Sequence, residues 1–208
     1  MIYSLPKDLK TAQIQSVDSI ITALSETNSK RLSINFLFEG LKINPLSINI
    51  AKLLSYKYPN ILILVSDQGN ASLLKRDYPD FSKSIYTYSE YIKNNKQIGL
   101  FDLSVALSPL AFDYEEYQQL CKLIEHPIIM INGSLEDTAI GIGSLGRERR
   151  RNFIQSWNKV YWLQPLTNGA LMKNYPNDWQ LYSLSKEGYS ILEIFTNKPD
   201  QETITSLL

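Results

Sequence analysis

The chain has 208 residues, and 44% of them are hydrophobic and 11% aromatic, so it can fill a core and is not a charge-driven disordered protein. Lysine plus arginine total 21 and aspartate plus glutamate total 21, so the formal net charge of zero excludes a globally basic nucleic-acid binder. This length fits a single core, and we expect one domain over residues 1–208.

The first part of the chain, residues 1–157, alternates helical and strand patterns. Ile61–Val65 is wholly apolar, which is typical of a strand that is buried on both faces. The predicted strands are Arg31–Glu39, Ile61–Val65, a weaker Ser84–Tyr88, Leu103–Leu107 and Pro127–Ile131. The predicted helices are Lys7–Leu24 with Pro6 in its first turn, one with Asn44 as N-cap and Pro45 at its first position, a short one through Leu74, and Asp113–Glu125.

After Arg151 the pattern changes to closely spaced strands, which leave no room for crossover helices. The strand-like segments are Val160–Leu163, Ala170–Met172, Trp179–Leu184 and Tyr189–Phe195, with a hairpin turn at Lys186–Gly188 and a final helix after Pro199. We therefore predict an α/β fold, a Rossmann-like three-layer parallel sheet covered by helices, which finishes over residues 158–208 with an antiparallel strand meander and a terminal helix.

The rare residues exclude several chemistries. Cys121 is the only cysteine and lies on the apolar side of a predicted helix, so we interpret it as a core residue and not as a nucleophile. His126 is the only histidine and directly precedes Pro127, so a Cys/His zinc site is excluded by counting. A Ser-His-Asp triad would have to use His126, and the Gly-x-Ser-x-Gly elbow is missing. We expect no metal, no cofactor and no catalytic residue.

Polar residues follow the predicted strands, where helix N-termini and free amides converge in a parallel sheet. The predicted ligand-binding residues are Asp67, Gly69, Ser108, Asn132, Glu136, Asp137 and Arg147. Each of them also suits a helix cap or a turn, so a purely structural role is the alternative.

Gly141, Gly143 and Gly146 match the dinucleotide pattern Gly-x-Gly-x-x-Gly, whose glycines allow a backbone to approach a pyrophosphate. That pattern should follow a first strand directly, and here residues 132–139 intervene. We therefore interpret the segment as a flexible glycine loop.

Four of the chain's six arginines, Arg147, Arg149, Arg150 and Arg151, come just after this loop and open a predicted helix. Arginine makes forked contacts with carboxylate and phosphate, so the cluster predicts an anion or an acidic protein surface as its partner. The predicted partner-binding residues are Arg147, Arg149 and Arg150 with Trp162 and Trp179 as exposed aromatics. The alternative is that Arg147, Arg150 and Arg151 pair with the protein's own acids.

The N-terminus has no basic region followed by an apolar run, and no stretch of the chain is long and apolar enough to span a bilayer. We expect a cytoplasmic protein, or a stromal one if it is plastid-encoded, with at most peripheral membrane contact.

Several short motifs, in their order along the chain, resemble a family of unknown molecular function found in cyanobacteria and plastids. This family includes the plant low-photosystem-II-accumulation protein three and the C-terminal region of a chloroplast adenylate kinase. The motifs are Leu5–Leu9 with Gln13 and Gln15, Asp67–Gly69, Val105–Pro109, Pro127–Asp137, Arg150–Phe153, Tyr161–Pro165 and Tyr175–Trp179. Lys173 departs from the arginine expected before Tyr175, and no kinase region or phosphate-binding loop is present.

This resemblance implies a photosynthetic setting and assistance in photosystem II assembly, and it implies no catalytic residues. The leading hypothesis is a non-catalytic protein that binds a protein partner, such as a thylakoid membrane protein or an assembly factor. The rival is an enzyme or sensor that binds a phosphorylated metabolite or nucleotide at the strand ends. Nucleic-acid binding through the 13 tyrosines is not expected, because stacking platforms normally lie in a basic groove.

Overall fold

The computed structural model describes residues 4–136 and 144–208. Its helices are α1 (Leu9–Glu26), α2 (Ile43–Ser55), α3 (Gln68–Asp77), α4 (Tyr88–Asn94), α5 (Tyr114–Leu123), α6 (Ser144–Gln155) and α7 (Gln201–Leu207). Its strands are β1 (Arg31–Phe36), β2 (Ile61–Val65), β3 (Ile85–Thr87), β4 (Leu103–Leu107), β5 (Ile128–Ile131), β6 (Asn158–Leu166), β7 (Gly169–Asn174), β8 (Trp179–Ser185) and β9 (Gly188–Phe195).

The chain divides into two compact units. One, the parallel unit, comprises Ser29–Ser33 and Lys42–Asn158, and the other, the meander unit, comprises Met1–Asn28, Ile34–Leu41 and Lys159–Leu208. The change of pattern predicted after residue 157 thus lies close to a boundary between the units. That the whole chain is a single domain stays a prediction.

The parallel unit is built on strands in the order β3-β2-β4-β5-β1, to which β1 contributes its first residues. β2 pairs in parallel with β3 and with β4, and β4 pairs in parallel with β5. All residues of β2, β4 and β5 are buried, as their apolar runs predict for strands covered on both faces.

Helices cover both faces of this parallel sheet. Leu62 and Leu64 point into an aromatic cluster that also contains Tyr117 of α5, Phe153 of α6 and residues of α4. Alternation along β2 sends its other three residues to the opposite face, where α2 contacts β4 and α3 contacts β2. The predicted three-layer α/β arrangement is therefore confirmed.

The meander unit carries the antiparallel strands β6-β7-β8-β9 in chain order, beside the last residues of β1. Its helix α1 contacts β7, and the Tyr161 hydroxyl donates to Gln15 Oε1 of α1 at 3.4 Å. Ile204 of α7 belongs to a second core cluster with Trp162, Trp179 and their apolar neighbours. The predicted antiparallel meander and terminal helix are confirmed.

Most predicted elements occur within a few residues of their expected bounds, and the exceptions have physical causes. α1 begins at Leu9, because the Asp8 carboxylate caps it by accepting from Thr11 N at 2.7 Å, so Pro6 precedes the helix. Asn44 is not the N-cap of α2, since the helix begins at Ile43 and the Asn44 side chain instead donates to Asn70 Oδ1 at 2.7 Å.

The sequence interpretation missed α4. This helix has only seven residues, too few for a clear apolar period, but it begins with a capping box in which Thr87 and Glu90 each bind the other's backbone amide. The Thr-x-x-Glu spacing was the signal that could have located it.

Within the described residues, no helix combines the length and the apolar character needed to cross a membrane.

Gly169 tests the packing of the meander unit. A Cβ atom at this position would overlap the backbone carbonyl oxygen of Tyr182 and lie 3.0 Å from Leu208 Cδ2. Because a backbone atom cannot move aside as a side chain can, Gly169→Ala should lower the free energy of unfolding by about 3 kcal/mol, as strong overpacking does. Urea denaturation measures the change.

Gly99→Ala is the matched control, because a Cβ there meets nothing within 4 Å. We expect this variant to unfold at the wild-type urea concentration or slightly above it. Equal midpoints for the Gly169→Ala variant and the wild type would contradict the packing at Gly169.

Candidate functional site

The carboxyl edge of the parallel strands contains the switch point at which open α/β sheets bind ligands. After β2 the chain turns into α3 on one face, and after the neighbouring β4 it turns into α5 on the other. Asp67 follows β2 and Ser108 follows β4. These two predicted ligand residues therefore lie at the ends of adjacent strands.

The protein's own carboxylates occupy the backbone amides at this edge. Asp67 is the N-cap of α3 and accepts a hydrogen bond from Asn70 N at 2.8 Å. Asp113 accepts from Leu110 N at 2.8 Å just before α5 begins. Burial raises the pKa of Asp113, its bond from Leu110 lowers it, and the negative charge of Asp67 raises it further. The negative charge of Asp67 therefore acts on Asp113, and it would also disfavour an anion bound beside them.

Ser108 and Asn132 shape the turns that end neighbouring strands. Both have left-handed backbones, with φ of 43° and 49°, which is uncommon for residues other than glycine. Ser108 N donates to Ile131 O at 2.8 Å, so the turn after β4 is tied to the end of β5. The two residues thus redirect the chain at the edge, in agreement with the structural alternative for this set.

The remaining predicted ligand residues are dispersed. Gly69 lies in the first turn of α3, where a Cβ would approach Asp67 Oδ1 to 3.1 Å, and Glu136 is exposed. Asp137 lies outside the described residues, as do Gly141 and Gly143 of the glycine pattern.

Arg150 joins three segments of the parallel unit. Its Nε and one terminal nitrogen donate to Leu135 O at 3.0 and 2.7 Å, and that terminal nitrogen also donates to Ala111 O at 2.9 Å. The guanidinium carbon lies 4.4 Å from the centroid of the Tyr114 ring. Arg150 therefore fixes α6 to the turn before α5 and to the chain after β5, and its donors are directed inward.

The other three arginines of the cluster face solvent. Arg147, Arg149 and Arg151 are exposed on α6, whereas Phe153 is buried beneath the helix. None of the three is within ion-pair distance of an acid in residues 4–136 or 146–208. The alternative of internal salt bridges is thus not found among these residues. Arg147 and Arg151 are four residues apart and share one side of the helix, whereas Arg149 is exposed on another side. We call these three exposed residues together the arginine face.

An exposed aromatic follows the residue that Arg150 binds, but it is not one that the sequence suggested. Phe112 is 78% exposed, and the preceding residue, Ala111, is bound by Arg150. The prediction that Trp162 and Trp179 are exposed is wrong: they are 8% and 4% exposed and pack edge to face with centroids 5.7 Å apart. Both are buried because α7 covers them in the meander unit. The signal for Phe112 was its place in the short turn between Pro109 and α5.

The only histidine is hydrogen-bonded to a serine without forming a catalytic dyad. His126 Nε2 lies 2.6 Å from Ser104 Oγ, but Ser104 is fully buried within β4, where no substrate can reach it. Burial lowers the pKa of His126, the negative charge of Asp102 raises it, and the positive charge of Lys30 lowers it. The ring is therefore a neutral partner for a buried hydroxyl.

The fold and this geometry define a class of protein: a parallel α/β unit with carboxylates at its strand edge and a helix whose exposed arginines have no ion pair within the part of the chain that the structure describes. The family follows from comparison. Residues 6–206 match the domain of unknown function DUF1995, and the chain belongs to that family.

The sequence has no match among curated proteins. Among solved structures, the chain is similar to a KaiC-like protein from the hyperthermophilic archaeon Pyrococcus horikoshii OT3. The similarity covers 79% of this chain and 91% of that chain, with 11% identity and a TM-score of 0.40.

A comparison of variants at Arg150 and Arg149 distinguishes an arginine that anchors α6 from one that only adds surface charge. Arg150→Lys keeps the charge but loses the planar fork, so we expect the carbonyls of Ala111 and Leu135 to lose donors and the free energy of unfolding to fall by about 2 kcal/mol. Thermal and urea denaturation measure the loss.

The exposed Arg149→Lys control should leave the free energy of unfolding within about 0.5 kcal/mol of wild type. If both variants unfold at the wild-type midpoint, Arg150 does not anchor α6.

The lowered pKa of His126 predicts a pH dependence of stability. Protonation favours the unfolded state, so the wild type should lose stability as the pH falls below about 6.5, the unfolded value, towards the lower folded pKa. His126→Gln cannot take up this proton. Its urea midpoint should therefore fall less than that of wild type between about pH 7.5 and pH 5. Parallel pH profiles for the two proteins would contradict the buried neutral imidazole.

Proposed function

We propose that this protein is a non-catalytic binding protein that holds an acidic protein surface against the arginine face of α6, as an auxiliary factor in the assembly or maintenance of photosystem II. One observation carries the proposal. Arg147, Arg149 and Arg151 are exposed and have no ion pair with the described residues, although the chain's net charge is zero.

The helix that carries these charges is held in place. Arg150 binds two backbone carbonyls, and Phe153 and Trp157 are buried in the aromatic cluster, so α6 presents its arginines from a fixed position. A helix that is already ordered loses less conformational entropy when a partner binds to its side chains, and each guanidinium can bind a carboxylate in a forked geometry. Phe112, which follows the residue bound by Arg150, is an exposed aromatic, and aromatic and arginine side chains are the common anchors of protein interfaces.

The photosynthetic setting is the part of the proposal that rests on the family resemblance of the sequence motifs. The arginine face is the part that rests on geometry. The two parts are separable by experiment, because binding to an acidic surface is measurable without any component of photosystem II.

The rival function, binding of a phosphorylated metabolite at the strand ends, is disfavoured by the carboxylates found there. Asp67 already accepts an amide at the start of α3, and Asp113 accepts one just before α5. A phosphate would have to displace these carboxylates or approach their charges, and both raise its free energy of binding. Arg150 offers a phosphate little, because its Nε and one terminal nitrogen are bound to carbonyls.

Charge reversal of the arginine face tests the proposal. The immobilised protein should capture photosystem II core complexes from solubilised cyanobacterial membranes, detected with antibodies to the core subunits. The Arg147→Glu, Arg149→Glu, Arg151→Glu triple variant should lose this capture, and Phe112→Ala should weaken binding about tenfold. Capture by the wild type should weaken with rising salt, because exposed charges are screened.

The matched control reverses three exposed lysines elsewhere on the parallel unit, Lys83→Glu, Lys93→Glu and Lys122→Glu, and should retain capture. Arg150 stays unchanged in both variants, because its loss would disturb the fold. Equal capture by the two triple variants would refute the arginine face. If a fluorescent decaglutamate peptide binds the wild type but photosystem II is not captured, the arginine face does bind acidic surfaces. The proposed role in photosystem II assembly or maintenance is then wrong.

A thermal-shift screen of nucleotides and sugar phosphates tests the rival. A bound ligand at 100 times its dissociation constant stabilises the folded protein by about 2.7 kcal/mol. Stabilisation that disappears in an Asp67→Ala variant would restore the strand-end site.

A further inference from the structure

The amino edge of the parallel strands, opposite the carboxyl edge, contains an open cleft of about 670 Å³. Its walls come from segments that precede strands and from the ends of α4 and α5. The lining residues are Lys30, Tyr91, Asn95, Lys96, Ile98, Gly99, Leu100, Phe101, Leu123, Glu125 and His126. This volume lies in the range of roughly 300 to 1,000 Å³ that is usual for small-molecule sites.

The polar groups of the cleft are mainly donors. Lys30 and Lys96 carry ammonium groups, Tyr91 a hydroxyl and Asn95 an amide, whereas Glu125 supplies the only carboxylate among the lining residues. His126 has its Nε2 bound to Ser104, so Nδ1 is the ring nitrogen left for a ligand. A set rich in donors and positive by one charge favours a ligand that accepts hydrogen bonds and carries a negative charge.

Helix C-termini disfavour anions, and α4 and α5 both end at this cleft. The last carbonyl of α4 and a carbonyl two residues beyond α5 are, however, already bound. Asn94 O accepts from the amides of Gln97 and Ile98, and Glu125 O accepts from Lys30 Nζ at 2.7 Å. Lys30 thus places a positive charge just beyond the end of α5, which offsets the negative end of that helix dipole.

The rest of the cleft is apolar. Phe101 and Ile98 are half-buried and pack against the aromatic cluster, while Leu123 is 39% and Leu100 is 95% exposed. Leu100 is an apolar side chain left almost wholly in water beside a concave wall. An alkyl or aromatic body in the cleft would remove this surface from water and so contribute favourable free energy.

We propose that the amino-edge cleft binds a small carboxylate with an apolar body, held by Lys96 and Lys30 at its head and by Leu100, Phe101 and Ile98 along its body. This site is distinct from the arginine face, and its test does not depend on the proposed partner.

The first experiment uses three probes that differ only in the head group: octanoate, octanol and octylammonium. Isotope-labelled protein is titrated with each, and amide shifts locate the site. We expect octanoate to bind most tightly and octylammonium most weakly, with shifts confined to the lining residues. Octylammonium binding as tight as octanoate, or shifts centred elsewhere, would overturn the proposal, as would the absence of saturable binding.

Variants then distinguish contacts to the charged head group of the ligand from contacts to its apolar body. Lys96→Gln should weaken octanoate about fivefold, as the loss of one partly exposed ion pair does, and leave octanol unchanged. Lys93→Gln, an exposed lysine of α4 outside the cleft, is the matched control and should change neither. Equal losses of octanoate and octanol in the Lys96→Gln variant would refute the charged contact.

Gly99→Trp tests occupancy of the cleft itself. Gly99 lines the cleft and a Cβ there meets no atom within 4 Å, so a bulky side chain can be introduced at the cleft wall without a clash at Cβ. We expect this variant to retain the wild-type urea midpoint and to lose binding of all three probes. Unchanged octanoate binding in a folded Gly99→Trp protein would show that the ligand lies elsewhere.

Discussion

The guanidinium of Arg150 is the contact on which the candidate surface depends. It binds the carbonyls of Ala111 and Leu135 and lies over the ring of Tyr114. Tyr114 meets Phe153 edge to face with centroids 5.6 Å apart, so the cation closes one side of the aromatic cluster. Arg150 and Phe153, three residues apart on α6, both contact the interior of the parallel unit, whereas Arg147 and Arg151 are exposed. The contacts of Arg150 thus hold the helix on which the exposed arginines lie.

Side chains also bind backbone groups at the carboxyl edge of the parallel strands. In an open parallel sheet this edge binds anions when helix N-termini are free. Here Asp67 accepts one amide at the N-terminus of α3, Asp113 accepts the amide of Leu110 before α5, and the burial of Asp113 beside a second carboxylate raises its pKa. The switch point of the fold is present, but two carboxylates of the protein lie at it. A positive surface on the side of α6 is consequently better suited to an acidic partner than the strand ends are.

The fold was predictable because it depends on burial, which apolar runs reveal directly. Ile61–Val65 and Leu103–Leu107 have the expected bounds, since only a strand covered on both faces tolerates five consecutive buried residues. α4 was missed because a seven-residue helix depends on its cap and not on an apolar period. The arginine cluster was found from composition, but composition cannot show which of four neighbouring arginines binds backbone carbonyls.

The exposure of single aromatics was the least predictable feature, because it depends on elements distant in sequence. Trp162 and Phe112 look alike as isolated residues, yet Trp162 packs against Trp179 under α7, and Phe112 lies in a short turn with no helix over it. The position of a charged residue near a helix end likewise depends on which backbone group it binds. Asp67 and Lys30 are accounted for once their amide and carbonyl partners are found. The arginine face has no ion pair among the described residues, and this is the observation from which an acidic partner is proposed for it.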